Sequence, residues 1–276
     1  MTTKTRIGGA TRERRIAFVG GGAMGEAMVK CLLDSNMALP RDIVVGDINP
    51  ARCELLTREY GVAASGDNRT AVRNADLVVL AVKPENLRQV MTEIKTLSPE
   101  QLVLSVVAGA SLSTLCQGLN HSSVVRAMPN MPVQIGEGVT IWTATTETKE
   151  QQKKLAQSIL RGLGREIYVS DEKYVDMATA LSGSGPAYVF LFIEALVDAG
   201  VHIGLPRSVA RELVIQTILG STLIVEKTGK HPAELRNVVT SPGGTTTEAL
   251  LQLEKGRFRS LLIKAVAAAY RKAKRL

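Results

Sequence analysis

The hydrophobic pattern divides the chain in two. Up to about residue 170 it consists of short, nearly continuous apolar runs separated by stretches of helical spacing. RIAFVG (15–20) stops at a glycine, and 23–35 places its apolar residues on one helix face. DIVVGD (42–47) is a second run and 50–60 a second helix. LVVLAV (77–82) and LVLSVV (102–107) are apolar almost throughout. Such runs suit parallel strands covered on both faces. SVVRAM (123–128), GVTIWTA (138–144) and REIYVS (165–170) continue the series. Strands alternating with helices predict a doubly wound α/β sheet over residues 15–171.

From 172 to 276 the pattern is helical. Residues 186–199 are apolar around most of a helix circumference, which predicts burial on more than one side. Pro206 opens another helix that Gly229 can end, Pro232 opens a short one, and 258–275 form the last. Thr245-x-x-Glu248 has the spacing of a capping box, with Gly256 as the stop. This segment carries more apolar faces than one small bundle can cover. The pattern therefore predicts a homo-oligomer in which a second copy covers them.

Composition agrees with an α/β protein that has a real core: 45% of the 276 residues are hydrophobic and 4% aromatic. The formal charge of +8 suggests nucleic acid until it is located. Residues 1–15 hold five cations and one acid, and 264–276 five cations and no acid, so the body between is nearly neutral. A duplex-binding face is a stripe on the folded body, so no nucleic-acid partner is expected. Residues 1–14 read as a disordered basic extension without the apolar core of a signal peptide. Cys31, Cys53 and Cys116 stand in no CxxC or Cys/His cluster, as reduced thiols in a cytoplasmic protein do. No uninterrupted apolar run reaches the ~18 residues of a membrane helix, because Glu194 and Asp198 break 187–199. No metal-ligand spacing is present.

The chemistry begins at FVGGGAMGEAMV (18–29). Gly20, Gly22 and Gly25 form G-x-G-x-x-G between a strand and a helix, the arrangement of a Rossmann-type dinucleotide platform. The first glycine allows a tight turn, the second a close approach of pyrophosphate, the third close helix–strand packing. Gly21, Ala23 and Met24 complete the loop, and the helix N-terminus offers free N–H groups. Asp47 ends the second strand. It either accepts from the adenine-ribose 2′-hydroxyl, which favours NAD over NADP, or merely begins the turn DINP. Nearby Arg52 leaves the choice open. LAVKPEN (80–86) puts Lys83 at a strand's carboxyl end, as a dinucleotide contact or a solvated edge lysine. VVAGAS (106–111) ends the next strand in small residues, against which a flat ring could lie.

SPGGTTTEAL (241–250) is the second candidate site. Its glycines let successive N–H groups turn inward at a helix mouth, and the hydroxyls of Ser241 and Thr246 add donors. A small carboxylate suits that cradle; the plainer reading is an N-cap with a flexible turn. Nothing else provides a nucleophile with a base, and His121, His202 and His231 are isolated. Hydride transfer to a C=N bond fits this poverty, since the nicotinamide carries the difficult chemistry and the protein aligns the reactants.

LSGSGPAYVFLFIEAL (181–196), GLPR (204–207), RAMPNMP (126–132) and VTSPGGTTTEAL (239–250) closely resemble the pyrroline-5-carboxylate reductase family. The similarity runs from about residue 15 to the C-terminus. It implies a Rossmann domain followed by an all-helical domain that interlocks two subunits, often as decamers of five dimers. It implies reduction of 1-pyrroline-5-carboxylate to L-proline by NADPH or NADH. Ser241, Gly243, Gly244, Thr245 and Thr246 are then expected to hold the substrate carboxylate, with Thr246 as the catalytic hydroxyl at the ring nitrogen. Asn68, Ala81, Val82, Lys83 and Ala108 match positions that line the dinucleotide. Asp47 and Met131 depart from the family pattern, which often has a serine, threonine or basic residue at the first and threonine at the second. The rival readings are a reductase of a related cyclic imine, such as a piperideine carboxylate, and a dinucleotide sensor without turnover. A β-hydroxyacid dehydrogenase would place a lysine near 185–195, and none is there.

Overall fold

The structure, a computed structural model, describes residues 14–275, so the extension expected over 1–14 lies, Arg14 apart, outside the described residues. The chain forms two compact units. One runs to Ser184 and includes the residues from Ala269 onward; the other spans Gly185–Ala268.

The first unit is built on strands β1 (Ile16–Val19), β2 (Ile43–Gly46), β3 (Ala63–Ser65), β4 (Leu77–Leu80), β5 (Leu102–Ser105), β6 (Val124–Met128), β7 (Gly138–Ala144) and β8 (Gly164–Tyr168). They form one sheet in the order β3-β2-β1-β4-β5-β6-β7-β8. Helices α1 (Ala23–Asp34), α2 (Pro50–Tyr60), α3 (Asn68–Val72), α4 (Leu87–Glu93), α5 (Leu112–Leu119), α6 (Glu150–Gly162) and α7 (Lys173–Ala178) connect and cover it. The alternation of side chains explains the continuous apolar runs. Ile16, Phe18, Val45, Val79 and Leu104 pack with Met28 and Leu32 of α1, Leu56 of α2 and Leu160 of α6. Ala17, Val19, Val78, Leu80 and Val103 pack instead with Val90 of α4 and Leu115 and Leu119 of α5. Both faces are buried, so both parities of each strand must be apolar.

The doubly wound expectation holds, with one antiparallel step. β6 and β7 pair antiparallel, whereas β7 and β8 are parallel. Residues 129–137, which include a 3₁₀ turn, Met131–Ile135, and Gly136 at φ 75°, are all that lies between β6 and β7. That connection is too short for the crossover a parallel pair requires.

Glu166 pins edge strand β8. It accepts from Trp142 Nε1 at 2.6 Å, Gln157 Nε2 at 2.8 Å and Arg161 Nε at 3.1 Å. Burial alone would raise its pKa, but these three donors together with the Arg161 charge hold it below the ordinary glutamate value. A carboxylate depressed in the folded state stabilises above its unfolded pKa, and that contribution disappears as pH falls through the folded value. Stability is therefore expected to drop below about pH 4.3, the unfolded glutamate value. In Glu166→Gln the drop should be shallower and the neutral-pH Tm lower. Thermal melts between pH 7 and pH 3 read both.

Arg126 on β6 is almost wholly buried. It pairs through Nη1 with Glu172 Oε1 at 2.6 Å and through Nη2 with Asp176, while Glu172 also accepts the Leu112 N–H at 2.7 Å. These bonds tie α7 to the sheet. They account for a compact unit that continues past the expected boundary at 171–172 to Ser184. Breaking a buried pair costs about 3–5 kcal/mol. Glu172 and Asp176 are about one-third exposed, so Arg126→Met is expected to lose about 2 kcal/mol in urea unfolding.

A π-helical turn, Thr179–Gly183, follows α7. A Cβ on Gly183 would stand 3.1 Å from Met128 Cε, which gives this glycine of the SGSGP motif a packing reason. The second unit begins there with α8 (Gly185–His202), α9 (Arg207–Thr228), α10 (Pro232–Val238) and α11 (Thr245–Lys255), and most of α12 (Phe258–Ala273). α8 and α9 approach closely at Gly200, where a Cβ would stand 2.9 Å from that of Ala210. Gly229 ends α9 in the left-handed region, at φ 63°. At the end of α11 it is Arg257, not Gly256, that takes positive φ.

Two expectations are corrected here. Within the single chain α8 is not buried on several sides: Val197 is its only buried residue, and Phe190 and Leu191 are 51% and 67% exposed. Much of its apolar circumference, like Leu219 of α9 and Ile263 of α12, stays exposed among the described residues. In addition, residues 173–202 and 207–228 are each long and apolar enough to cross a membrane by length and composition. The few charges that interrupt them lower the mean hydropathy too little to exclude them on that count.

Candidate functional site

The β1–α1 turn is shaped by backbone crowding. Gly20 has φ 102°, and a Cβ on it would lie 2.6 Å from the Ala81 carbonyl oxygen. Gly21 is buried against Leu56. A Cβ on Gly25 would collide with the Gly20 carbonyl oxygen, whereas one on Gly22 would meet nothing within 4 Å. Gly22 thus keeps its face open at the N-cap of α1, where no side chain caps the helix. Ala23, Met24 and Gly25 begin that helix, so their N–H groups are available to an anion.

A cleft of about 270 Å³ opens beside this turn. Gly20, Gly22, Asp47, Asn68, Ala81, Val82 and Lys83 of the expected set line it. Gly21 lies beneath it. Ala108 lies in another segment, after β5, and does not line this cleft. The Lys83 side chain is exposed and forms no ion pair among the described residues. The open face of Gly22, the uncapped helix and a buried, unpartnered Asn68 Oδ1 fit a dinucleotide.

Asp47 does more than begin a turn. Its Oδ2 accepts the Gly21 N–H at 2.7 Å and its Oδ1 the Asn49 N–H at 2.9 Å, which fixes the carboxylate at the cleft wall. Arg52 is committed elsewhere. It donates through Nε to the Gly21 carbonyl at 2.9 Å and through Nη2 to Glu26 Oε2 at 2.6 Å. The Arg52 hydrogen bond holds the Glu26 carboxyl below the usual range, against burial and with help from the Tyr60 hydroxyl. Gln89 and Glu93 also line the cleft from α4. Sequence reasoning missed them. Their only signal was an i, i+4 polar pair on the helix that follows LAVKPEN.

The second cradle lies in the helical unit. Gly243 has φ 69°, and Gly244 is the N-cap of α11, with no side-chain cap. The expected Thr245–Glu248 capping box is therefore not formed: the helix starts one residue earlier, at Thr245, and the glycine at its N-cap has no side chain to close it. The turn is held by Gly244 N–H to the Ser241 carbonyl at 3.1 Å and by Thr247 Oγ1 to the same carbonyl at 2.8 Å. The N–H groups of Thr245 and Thr246 sit at the helix's open end, where no intrahelical acceptor exists. Oriented amides beside the hydroxyls of Ser241 and Thr246 suit a carboxylate.

Two of the three histidines have structural employment. His121 Nε2 meets the Gln101 carbonyl at 2.8 Å in the core, and His231 caps α10 through Nδ1. All three cysteines are free thiols.

Residues 172–276 match the family described as "Pyrroline-5-carboxylate reductase dimerisation", and residues 15–109 that described as "NADP oxidoreductase coenzyme F420-dependent". The chain is 40% identical to a pyrroline-5-carboxylate reductase of Synechocystis, covering 95% of this chain and 98% of the relative. Its identity to the Escherichia coli enzyme of that name is 36%, over 96% and 98%. Among solved structures, a pyrroline-5-carboxylate reductase from Coxiella burnetii superposes with TM-score 0.86 at 39% identity, covering 96% and 98%. A Plasmodium falciparum pyrroline carboxylate reductase with NADP bound superposes with TM-score 0.87 at 33% identity, covering 95% and 97%. With similarity of this extent spanning both compact units, the chain belongs to the pyrroline-5-carboxylate reductase family.

Proposed function

We propose that this chain reduces 1-pyrroline-5-carboxylate to L-proline with NADPH or NADH, the last step of proline biosynthesis. The observation that supports it best is the uncapped start of α11, with the free amides of Thr245 and Thr246 beside two hydroxyls. Membership of the family supplies the substrate that such a cradle holds. When bound, the reduced nicotinamide supplies the hydride that the C=N carbon accepts.

The chain's own residues bind and align. The turn at 20–25 and the start of α1 hold pyrophosphate, Asp47 and Asn68 lie at the ribose end, and Ala81, Val82, Lys83 and Ala108 follow the dinucleotide onward. The carboxylate is held by Ser241 and by the main chain of Gly243, Gly244, Thr245 and Thr246. The Thr246 hydroxyl forms the hydrogen bond to the ring nitrogen. Little more is required, because an imine near neutral pH is already partly protonated and alignment removes much of the remaining barrier. The exposed apolar faces of α8, α9 and α12 fit a homodimer, with five dimers forming a decamer, in the cytoplasm.

The test is oxidation of NADPH and NADH by 1-pyrroline-5-carboxylate or piperideine carboxylate, set beside reduction of NADP+ and NAD+ by a 3-hydroxyacid. Turnover should be fastest with the pyrroline. Faster turnover of either rival would replace this reading.

A further inference from the structure

The cleft beside the glycine turn carries an unequal distribution of charge. Asp47, Glu85 and Glu93 line it, against Lys83 as the one cationic side chain among the described lining residues. Two arginines in the neighbourhood are bound to other acceptors. Arg52 is held by the Gly21 carbonyl and Glu26, and Arg69 donates Nε to the Glu93 carbonyl at 2.8 Å without lining the cleft.

Asn68 converts this imbalance into a directional one. It is 5% exposed, and its Nδ2 donates to Glu93 Oε2 at 2.7 Å. An ionised carboxylate only accepts, so the amide group has one orientation. The NH₂ faces Glu93 and the carbonyl faces the other way, towards Gly46, where a Cβ would collide with it. That Oδ1 is buried and has no partner. Gln89 Nε2, at 2.9 Å from Glu93 Oε1, holds the carboxylate in place.

We propose that Glu93 determines cofactor specificity: it engages the Asn68 NH₂ and adds its own charge to the wall, so that the Asp47 carboxylate and no Asn68 donor meets the ribose end, which selects a free 2′-hydroxyl and hence NADH over NADPH. The inference rests on the dinucleotide reading above. A 2′-hydroxyl can donate to the Asp47 carboxylate. A 2′-phosphate brings only acceptors and negative charge to a wall that already holds three carboxylates. With a neutral amide at position 93 the wall carries one carboxylate fewer and the Asn68 NH₂ loses its charged acceptor.

The experiment is calorimetric titration with ADP-ribose and 2′-phospho-ADP-ribose, which needs neither substrate nor turnover. The unmodified chain should bind ADP-ribose at least tenfold more tightly. In Glu93→Gln the ratio should fall at least fivefold. A second measurement needs no variant: the preference of the unmodified chain should shrink as salt rises from about 0.05 to 0.5 M, because the repulsion is screened. Tighter binding of the phosphorylated ligand, a ratio unmoved in Glu93→Gln, or a salt-independent ratio would each overturn the proposal. Failure of both ligands to bind would sink the dinucleotide reading as well, a result distinct from the wrong preference.

Discussion

Gly25→Ala is expected to weaken dinucleotide binding by about 100-fold. The added methyl would be driven into the Gly20 carbonyl oxygen, a main-chain atom. No side chain can rotate away, so the turn must open or α1 must move off β1. Gly20 cannot absorb the movement. Its φ of 102° and its closeness to Ala81 fix it on the other side. Overpacking of this kind costs about 1–3 kcal/mol, and the upper end applies where backbone meets backbone. At about 1.4 kcal/mol per tenfold, that is roughly two decades in affinity. Calorimetry with ADP-ribose reads the loss, and urea unfolding separates it from general instability. An affinity within threefold of the unmodified chain would mean that the turn does not hold pyrophosphate.

Thr246→Ala is expected to lower kcat/KM for 1-pyrroline-5-carboxylate by about 10- to 100-fold, equivalent to about 1–3 kcal/mol for one lost hydrogen bond. The dinucleotide affinity should not change. Two threonines in the same turn make the comparison sharp. Thr247 spends its hydroxyl on the Ser241 carbonyl at 2.8 Å, so Thr247→Ala removes a bond that shapes the turn. Among the described residues the Thr246 hydroxyl makes no bond, so its loss leaves the turn intact. If Thr246→Ala keeps full kcat/KM, that hydroxyl has no part in the reaction.

Much of this arrangement was legible in the sequence because it rests on local constraints. Apolar runs between glycine and turn residues located seven of the eight strands. β3 escaped because Ala63, Ala64 and Ser65 are few, small and partly exposed, so no apolar run marks them. The antiparallel β7 was implicit in the lack of a helix between residues 128 and 138, but the direction of a strand leaves no trace in its own residues. The glycine turn could be read residue by residue, because each glycine answers a steric demand. The capping box could not. Its spacing was present, but a glycine took the N-cap and kept the helix end open, which is what an anion cradle needs. The role of α8 was legible only in part, again for a physical reason. Apolarity shows that a face must be covered and does not say by which chain. Glu93 and Gln89 left no motif at all, since their part depends on the orientation of a single amide group on another helix.

The account stands on amides at 243–246 gripping an acid group next to a reducible C=N. The most direct test compares kcat/KM for 1-pyrroline-5-carboxylate with that for 1-pyrroline, the same ring without its carboxylate. If the amides bind the acid, the truncated imine should be poorer by about 100-fold or more, as charge-assisted bonds of about 1.5–3 kcal/mol each would give. Equal values for the two imines, or no reduction of either, would contradict it.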